Sequence, residues 1–264
     1  MTDEIGKAGW GRRLTLLALA LSLGGVAAAL VAAIGTGAGQ WTYGAGLGVL
    51  RYALLAAASG VLLAVLAWFV SRRSGVQTGW LNVLALVTGL LFIAYLGSMI
   101  VTARSLPMIH DATTNLDDVP QFSRLTVRGD NLDKVPDEGK AELAALSPEE
   151  RWKALHRRAY ADLRPLRLAA PPELVLKQAE QLARNRGWEV AAVDPAAGTL
   201  EATATTLFFR FKDDVVVRVR PDPANPTGSM VDMRSISRVG LSDLGVNAKR
   251  IRAFLTGLGD TAQP

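Results

Sequence analysis

The sequence predicts a three-helix transmembrane anchor followed by an α+β two-layer domain, with a four-stranded antiparallel sheet and flanking helices. Three observations support this fold class. Long apolar runs occupy residues 14–34, 52–70 and 80–101. Four β-rich runs separated by turn residues follow in the last third of the chain, and helical patterns stand before and after them. The order α-β-β-β-β-α predicts helices packed on one face of a sheet.

The three apolar runs contain no Asp, Glu, Lys or Arg. A hydrocarbon core of about 30 Å takes about 20 helical residues, so each run is long enough to span. Pumps and proton relays need ionisable groups inside the bilayer, whereas these runs offer mainly Asn82, Thr88 and a few serines. An anchor is therefore favoured over a transporter. Gly/Ala-rich stretches such as "GGVAAALVAAIG" predict close helix packing in a compact bundle or a homo-oligomer.

The flanking charges predict the orientation of this anchor. Basic residues stand before the first span and in the second loop, at Lys7, Arg12, Arg13, Arg72 and Arg73. The first loop has no charge until Arg51. The positive-inside rule then places the N-terminus and the second loop in the cytoplasm. We therefore expect a multi-pass protein of the bacterial inner (plasma) membrane whose C-terminal domain lies in the periplasm.

The net charge of +5 belongs to the membrane part of the chain. Residues 1–104 hold seven Lys/Arg and two Asp/Glu, which leaves 22 of each kind in residues 105–264. No broad basic field is present to gather phosphate backbones, so nucleic acid is not an expected partner. The expected partner of the apolar runs is the lipid bilayer. The chain has no cysteine, so disulfides and thiolate chemistry are excluded.

Residues 105–165 predict an irregular and helical connector, and residues 166–264 the α+β domain. In "LSPEERWKALHRRAY", Ser147 is the expected N-cap, and Glu150 completes a capping box. A second helix is predicted over 173–186, with Gly187 as its stop. A last helix is predicted over 246–258, with apolar side chains at helical spacing.

The predicted strands are "WEVAAVD", "TLEATATTLFFRF", "VVVRVRP" and "SMVDMRSISR". The breaks between them, "PAAG", "KDD" and the eight-residue "PDPANPTG", are short enough for hairpins. Leu207, Phe208 and Phe209 are consecutive, so this strand would carry apolar side chains on both faces. We expect residues 105–165, a partner or a ligand to cover the second face, and favour cover by the chain itself.

An arginine group on the last two strands is the main candidate site. Arg218 and Arg220 share one face of their strand, Asp232, Arg234 and Arg238 share one face of the next, and Asp232 can oppose Arg218 or Arg220. Residues 210–252 carry nine basic groups against five acids. Arginine holds carboxylates and phosphates bidentately, and the turn at residues 242–245 would add backbone N–H groups at a helix N-terminus. The ligand-binding hypothesis comprises Arg218, Arg220, Arg234, Arg238, Ser242, Asp243 and Asn247.

A structural interpretation competes with this hypothesis. Ser242, Asp243 or Asn247 can cap the last helix. The arginines can be neutralised by nearby acids, which are Glu201, Asp213, Asp214, Asp232 and Asp243.

The segment "HDATTNLDD" raises the question of a metal site at His110, Asp111 and Asp117. It lacks the ligand rhythm of an EF-hand loop, and two histidines without cysteine do not favour zinc. We therefore assign neither a metal nor a cofactor. A hydrolase would need a nucleophile elbow or an ordered triad. No G-x-S-x-G occurs, and His110 with Asp243 or Ser237 is the remaining acid/base combination. No catalytic residue is assigned.

Several long motifs carry a resemblance to a known family. "HDATTNLDDVP", "GWEVAAVDP", "LEATATTLFFRFKDDVVVRVRP" and "VDMRSISRVGLSDLGVNAKRIRAFL", with the preceding spans, resemble the domain-of-unknown-function 1499 family over about residues 105–258. The resemblance implies membrane association and a compact α/β domain. The family has no assigned activity, cofactor or catalytic residue to carry over.

We expect an integral membrane protein whose periplasmic module binds an anionic small molecule or an envelope protein without catalysis. Two alternatives stay open. One is a membrane-bound hydrolase acting on cell-envelope material. The other is a structural subunit of a membrane complex.

Overall fold

The computed structural model describes residues 2–74 and 79–261, which form two compact units. Of the described residues, those up to Val101 form the first unit together with Leu207–Arg210, and Thr102–Thr206 with those from Phe211 onward form the second. The helices are α1 Thr2–Gly37, α2 Tyr43–Ser74, α3 Gly79–Ser105, α4 Ala141–Ala144, α5 Pro148–Ala159, α6 Pro172–Asn185 and α7 Val246–Thr261. The strands are β1 Asp111–Thr113, β2 Leu166–Leu168, β3 Glu189–Asp194, β4 Thr199–Thr205, β5 Lys212–Asp222 and β6 Asn225–Ser237.

Helices α1, α2 and α3 confirm the three predicted membrane helices. Each contains an apolar stretch long enough to cross a membrane, at Gly9–Gly37, Tyr43–Arg72 and Gly79–Ser105. Small residues allow these helices to pack closely. A Cβ added at Gly25 would lie 2.7 Å from the Ala53 carbonyl oxygen, so glycine is needed there. Ala18, Ala64 and Ala85, one from each helix, are buried together.

The sheet of the second unit has six strands, so the predicted count of four is wrong. Its order is β1-β6-β5-β4-β3, β2 also pairs with β6, and every pairing is antiparallel. The two added strands are three residues long. An alternation with a period of two cannot show in so short a segment. Both strands pair with the edge of the 13-residue strand β6 that faces away from β5.

Two predicted strand limits also need correction. Strand β4 ends at Thr205 and β5 begins at Lys212, so "KDD" lies within a strand and "LFF" lies in the connection. The prediction of a strand with aromatics on both faces is therefore wrong. The charges of "KDD" resemble turn chemistry, but Asp213 and Asp214 are buried and paired with arginines. The β5–β6 connection is two residues, not eight, because the ladder continues to Asp222 and Asn225.

Helices α6 and α7 pack on one face of the sheet. Leu200, Val217 and Met233 are aligned on that face by the strand register. They share a core with Ile251 and Phe254 of α7. The predicted capping box of α5 is confirmed, with Ser147 and Glu150 in reciprocal contact.

The chain itself covers part of the opposite face, as predicted. That face carries Glu201, Arg218 and Arg234 by register. The Glu201 carboxylate accepts backbone N–H bonds from residues 123–125. Arg218 and Arg234 donate to the backbone oxygens of Asp118 and Pro120. Residues 118–125 therefore lie across the arginine-bearing face.

Candidate functional site

The pairing of β5 with β6 places Arg218 directly opposite Asp232, which confirms the predicted cross-strand pair. Arg218 Nη2 lies 3.0 Å and Arg220 Nη2 lies 2.6 Å from Asp232 Oδ2. The Asp232 side chain is 0% exposed. One buried carboxylate therefore holds two guanidinium groups and balances one of their two charges.

A second carboxylate, from Asp118, completes what we call the arginine cluster: Arg218, Arg220, Asp118 and Asp232. Asp118 Oδ2 lies 3.0 Å from Arg218 Nη2 and 2.7 Å from Arg220 Nη1. The Asp118 side chain is 55% exposed. Hydrogen bonds from Arg220 and Arg218 lower the pKa of Asp118 below its usual value. The cluster is thus neutral, and one of its two acids is open to water.

Three buried atoms of the cluster make no hydrogen bond to any part of the chain that the structure describes. They are Arg218 Nε, Arg220 Nε and Asp232 Oδ1. Buried polar groups in folded proteins are nearly always hydrogen-bonded. The cluster therefore has hydrogen-bonding capacity beyond its four side chains.

Arg234 and Arg238 lie on the same sheet but are paired differently. Arg234 is buried and donates from Nε and Nη2 to Asp111, at 3.0 and 2.7 Å. Asn131 donates to the same carboxylate at 2.8 Å. Arg238 donates to the buried carboxylate of Asp214 from Nε and Nη2, both at 2.8 Å. Arg234 thus joins β6 to β1, and Arg238, the residue directly after β6, joins the end of that strand to β5.

Ser242, Asp243 and Asn247 form the start of α7, as the structural interpretation predicted. Asp243 accepts from the backbone N–H groups of Gly245 and Asn247, both at 2.8 Å. Burial raises the pKa of Asp243 despite these bonds. Ser242 Oγ accepts from the Leu244 N–H. The turn passes through Leu244 and Gly245 at φ 54° and 76°.

Asn247 lies 0% exposed beneath this turn and uses its whole amide group within the second unit. Its Nδ2 donates to the His110 carbonyl and to Ser237 Oγ, and its Oδ1 accepts from Ser235 Oγ. Five of the seven candidate residues therefore have partners within the second unit: Arg234, Arg238, Ser242, Asp243 and Asn247. The structure brings the other two, Arg218 and Arg220, together around one exposed acid.

His110, the residue on which the hydrolase alternative depends, lies beside Ser237, whose backbone N–H donates to the His110 carbonyl at 3.0 Å, but its ring contacts other groups. Its Nε2 lies 3.0 Å from Asn131 Oδ1, and its Nδ1 lies 3.3 Å from the Leu241 carbonyl. Both partners are oxygen acceptors, because the Asn131 amide nitrogen already donates to Asp111. Both ring nitrogens of His110 are therefore engaged by Asn131 and by the Leu241 carbonyl. Within residues 2–74 and 79–261, no three His, Asp or Glu side chains converge as metal ligands.

A cleft of about 380 Å³ was not predicted from the sequence. It lies between residues 113–117 and residues 156–165. His156 lines it, is 1% exposed, and accepts the Thr113 N–H at Nε2 at 3.1 Å. Burial lowers the pKa of His156 to about 4, so at neutral pH its proton sits on Nδ1. Trp152, His156 and Tyr160 are spaced one helical turn apart, so they share one face of a helix. This spacing is the sequence signal that could have indicated the surroundings of His156.

The fold and the arginine cluster together define a class of protein: a membrane protein with three apolar helices and an α+β domain whose polar sheet face is crossed by charge pairs. The chain belongs to the DUF1499 family, described as "Protein of unknown function", whose sequence model matches residues 111–258. That match includes every residue of the arginine cluster. A comparison with curated proteins finds no match.

Proposed function

We propose that this protein is an inner-membrane-anchored module whose α+β domain lies in the periplasm and binds an anionic ligand or partner without catalysis. The binding group is the arginine cluster. One observation carries the proposal: Arg218 and Arg220 both bind Asp118, a half-exposed carboxylate from a loop that is about a hundred residues away in sequence. A carboxylate already occupies the position that an external anion would take.

The two acids of the cluster differ in how easily they can be displaced. Asp232 is fully buried between the arginines, and breaking a buried pair leaves an uncompensated charge at a high cost. The Asp118 side chain is 55% exposed, and exposed pairs contribute only about 0–1 kcal/mol. A carboxylate or phosphate from solution can therefore compete with Asp118 but not with Asp232.

The same comparison narrows the ligand-binding set that the sequence suggested. Asp111 and Asp214, the partners of Arg234 and Arg238, are both buried. Ser242, Asp243 and Asn247 hold the start of α7. We therefore assign a structural role to Arg234, Arg238, Ser242, Asp243 and Asn247. Arg218 and Arg220 remain as the residues that bind the ligand.

The substitution Asp118→Asn tests this proposal with inorganic phosphate as the probe. Removing an internal competitor worth about 1 kcal/mol should tighten the Kd for phosphate about fivefold. Binding is measured by calorimetry on the full chain in detergent. Asp117→Asn is the matched control, because the Asp117 side chain is 93% exposed and its carboxylate lies 3.5 Å from Arg157, outside the arginine cluster.

The gain in affinity should disappear when Arg220→Gln is added to Asp118→Asn. Thermal unfolding of each variant confirms that it is folded before binding is measured. Equal phosphate affinity in the wild type, Asp118→Asn and Asp117→Asn would contradict the proposal.

A further inference from the structure

We propose that the connection Leu207–Arg210 is a lipid-binding site, in which Leu207 and Phe208 enter the acyl region of a membrane leaflet and Arg210 binds the phosphate of a phospholipid headgroup. This inference goes beyond the arginine cluster and does not depend on it. It also holds for either orientation of the anchor.

The exposure of the connection is the first observation. The Leu207 side chain is 81% exposed and Phe208 is 53% exposed. Two adjacent large apolar side chains open to solvent are unfavourable in water, and such patches mark contact sites. The connection is held in a defined turn, because Thr206 and Phe211 exchange two hydrogen bonds of 2.9 Å at its base.

The second observation is that Leu207–Arg210 belongs to the same compact unit as the membrane helices. Phe209 is buried, and a Cβ added at Gly46 would lie 3.3 Å from its ring. A Cβ added at Gly37 would lie 2.5 Å from Arg210 Cγ. Tyr43 Oη donates to the Arg210 carbonyl at 3.5 Å. Glycines at the end of α1 and the start of α2 therefore leave room for the connection.

These contacts identify lipid as the occupant. Gly37 ends one candidate span and Tyr43 begins the next, so this end of the helices meets the membrane–water interface. Ile34 and Leu47, on either side of the α1–α2 connection, are exposed apolar residues of the same unit. Leu207 and Phe208 are further exposed apolar residues of that unit. Aromatic side chains favour this interface, and an arginine there reaches the headgroups with its charged end.

Arg210 supports the assignment through its backbone and its charge. Its φ of 55° lies in the left-handed region, which is uncommon for a residue with a side chain. Such a conformation persists when surrounding contacts hold it, and here Gly37 and Tyr43 supply them. The turn therefore presents two apolar side chains and one cation in a fixed arrangement, which matches the two chemical parts of a phospholipid.

Site-specific spin labelling tests the proposal, because the chain has no cysteine and one substitution provides the only label. Phe208→Cys is labelled in lipid nanodiscs of phosphatidylethanolamine and phosphatidylglycerol. Collision rates are measured with oxygen, which concentrates in acyl chains, and with a water-soluble nickel chelate. Leu62→Cys, exposed on α2, is the lipid reference. Ala196→Cys, exposed in the β3–β4 turn, is the water reference.

We expect the oxygen-to-nickel ratio at position 208 to exceed that at position 196 several-fold and to approach that at position 62. A ratio equal to that at position 196 would overturn the proposal, because Phe208 would then lie in water. Protection from both reagents would also overturn it, because a protein surface would then cover the residue. Leu207→Cys repeats the measurement if Phe208→Cys fails to fold.

Discussion

Replacement of Glu201 by alanine is expected to lower the free energy of unfolding of the second unit by about 3 kcal/mol or more. Glu201 is 2% exposed and is the anchor of the segment that crosses the polar face of the sheet. Its carboxylate accepts from the backbone N–H groups of Ser123 and Leu125 at 2.6 and 2.7 Å, and from Ser123 Oγ at 2.7 Å. Alanine would leave these donors without their charged acceptor in a partly buried place.

Urea unfolding of the full chain measures this loss. Unfolding is monitored by near-ultraviolet circular dichroism, to which Trp152 and Trp188 of the second unit contribute. Glu201→Gln keeps one acceptor oxygen and should lose less stability than Glu201→Ala. The matched control is Glu189→Ala, an exposed acid on the neighbouring strand β3, which should stay within about 0.5 kcal/mol of the wild type. Equal stability of Glu201→Ala and Glu189→Ala would show that the carboxylate does not hold the segment.

The stabilisation by Glu201 should also depend on pH. Burial alone would raise its pKa, but the hydrogen bonds from Leu125, Ser123 and Arg124 outweigh burial and lower the pKa. A lowered pKa in the folded state means that the stabilisation is complete above the usual glutamate pKa and is lost as the pH falls through the folded value. The stability difference between the wild type and Glu201→Gln should therefore be largest near neutral pH and shrink in acid.

The second large effect is expected for Asp232→Ala, which should cost about 3–5 kcal/mol of stability. Asp232 is fully buried and balances Arg218 and Arg220 at 3.0 and 2.6 Å. Without it, two guanidinium groups would share only Asp118. The cost arises from the unpaired charge, so removing the arginines as well should recover part of it.

A double-mutant cycle measures this coupling. Asp232→Ala is compared in the wild type and in a chain that carries Arg218→Met and Arg220→Met. The loss of stability should be clearly smaller in the second chain. Equal losses in both chains would mean that the cost reflects packing and not charge. Asp118→Asn should change stability little, because the Asp118 side chain is half exposed. The two substitutions therefore distinguish the displaceable acid Asp118 from the structural acid Asp232.

The parts of the fold that could be predicted have signals that are local in sequence. Each membrane helix contains a long apolar run without charge, and all three helices are present. The capping box at Ser147 and Glu150 lies within four residues. The cross-strand pair Arg218 and Asp232 follows from alternation along two adjacent strands.

The parts that could not be predicted depend on contacts between distant segments. Strands β1 and β2 exist because β6 offers them an edge, and three residues alone carry no strand pattern. Likewise, the excess of arginine over acid in residues 210–252 is a local count. The missing carboxylates come from elsewhere in the chain: Asp111 binds Arg234, Asp118 binds Arg218 and Arg220, and Asp162 binds Arg252.

The candidate site in the structure therefore differs from the one that the sequence indicated. The sequence pattern indicated an excess of arginine over acid and left open whether nearby acids neutralise the arginines, and the structure pairs all four candidate arginines with acids. What distinguishes Arg218 and Arg220 is the exposure of one of their acids, Asp118. Exposure of a loop residue is set by tertiary packing, so no spacing in the sequence encodes it.

The most direct test of the account is the side of the membrane on which the α+β domain lies, because the proposed ligand is a molecule of the periplasm. Two reporters are fused after Pro264 in separate bacterial strains: alkaline phosphatase, which is active only in the periplasm, and a green fluorescent protein, which is bright only in the cytoplasm. Three spans whose basic flanks are predicted to lie in the cytoplasm lead us to expect an active phosphatase and a dark fluorescent protein. An inactive but stable phosphatase fusion together with a bright fluorescent fusion would contradict the account.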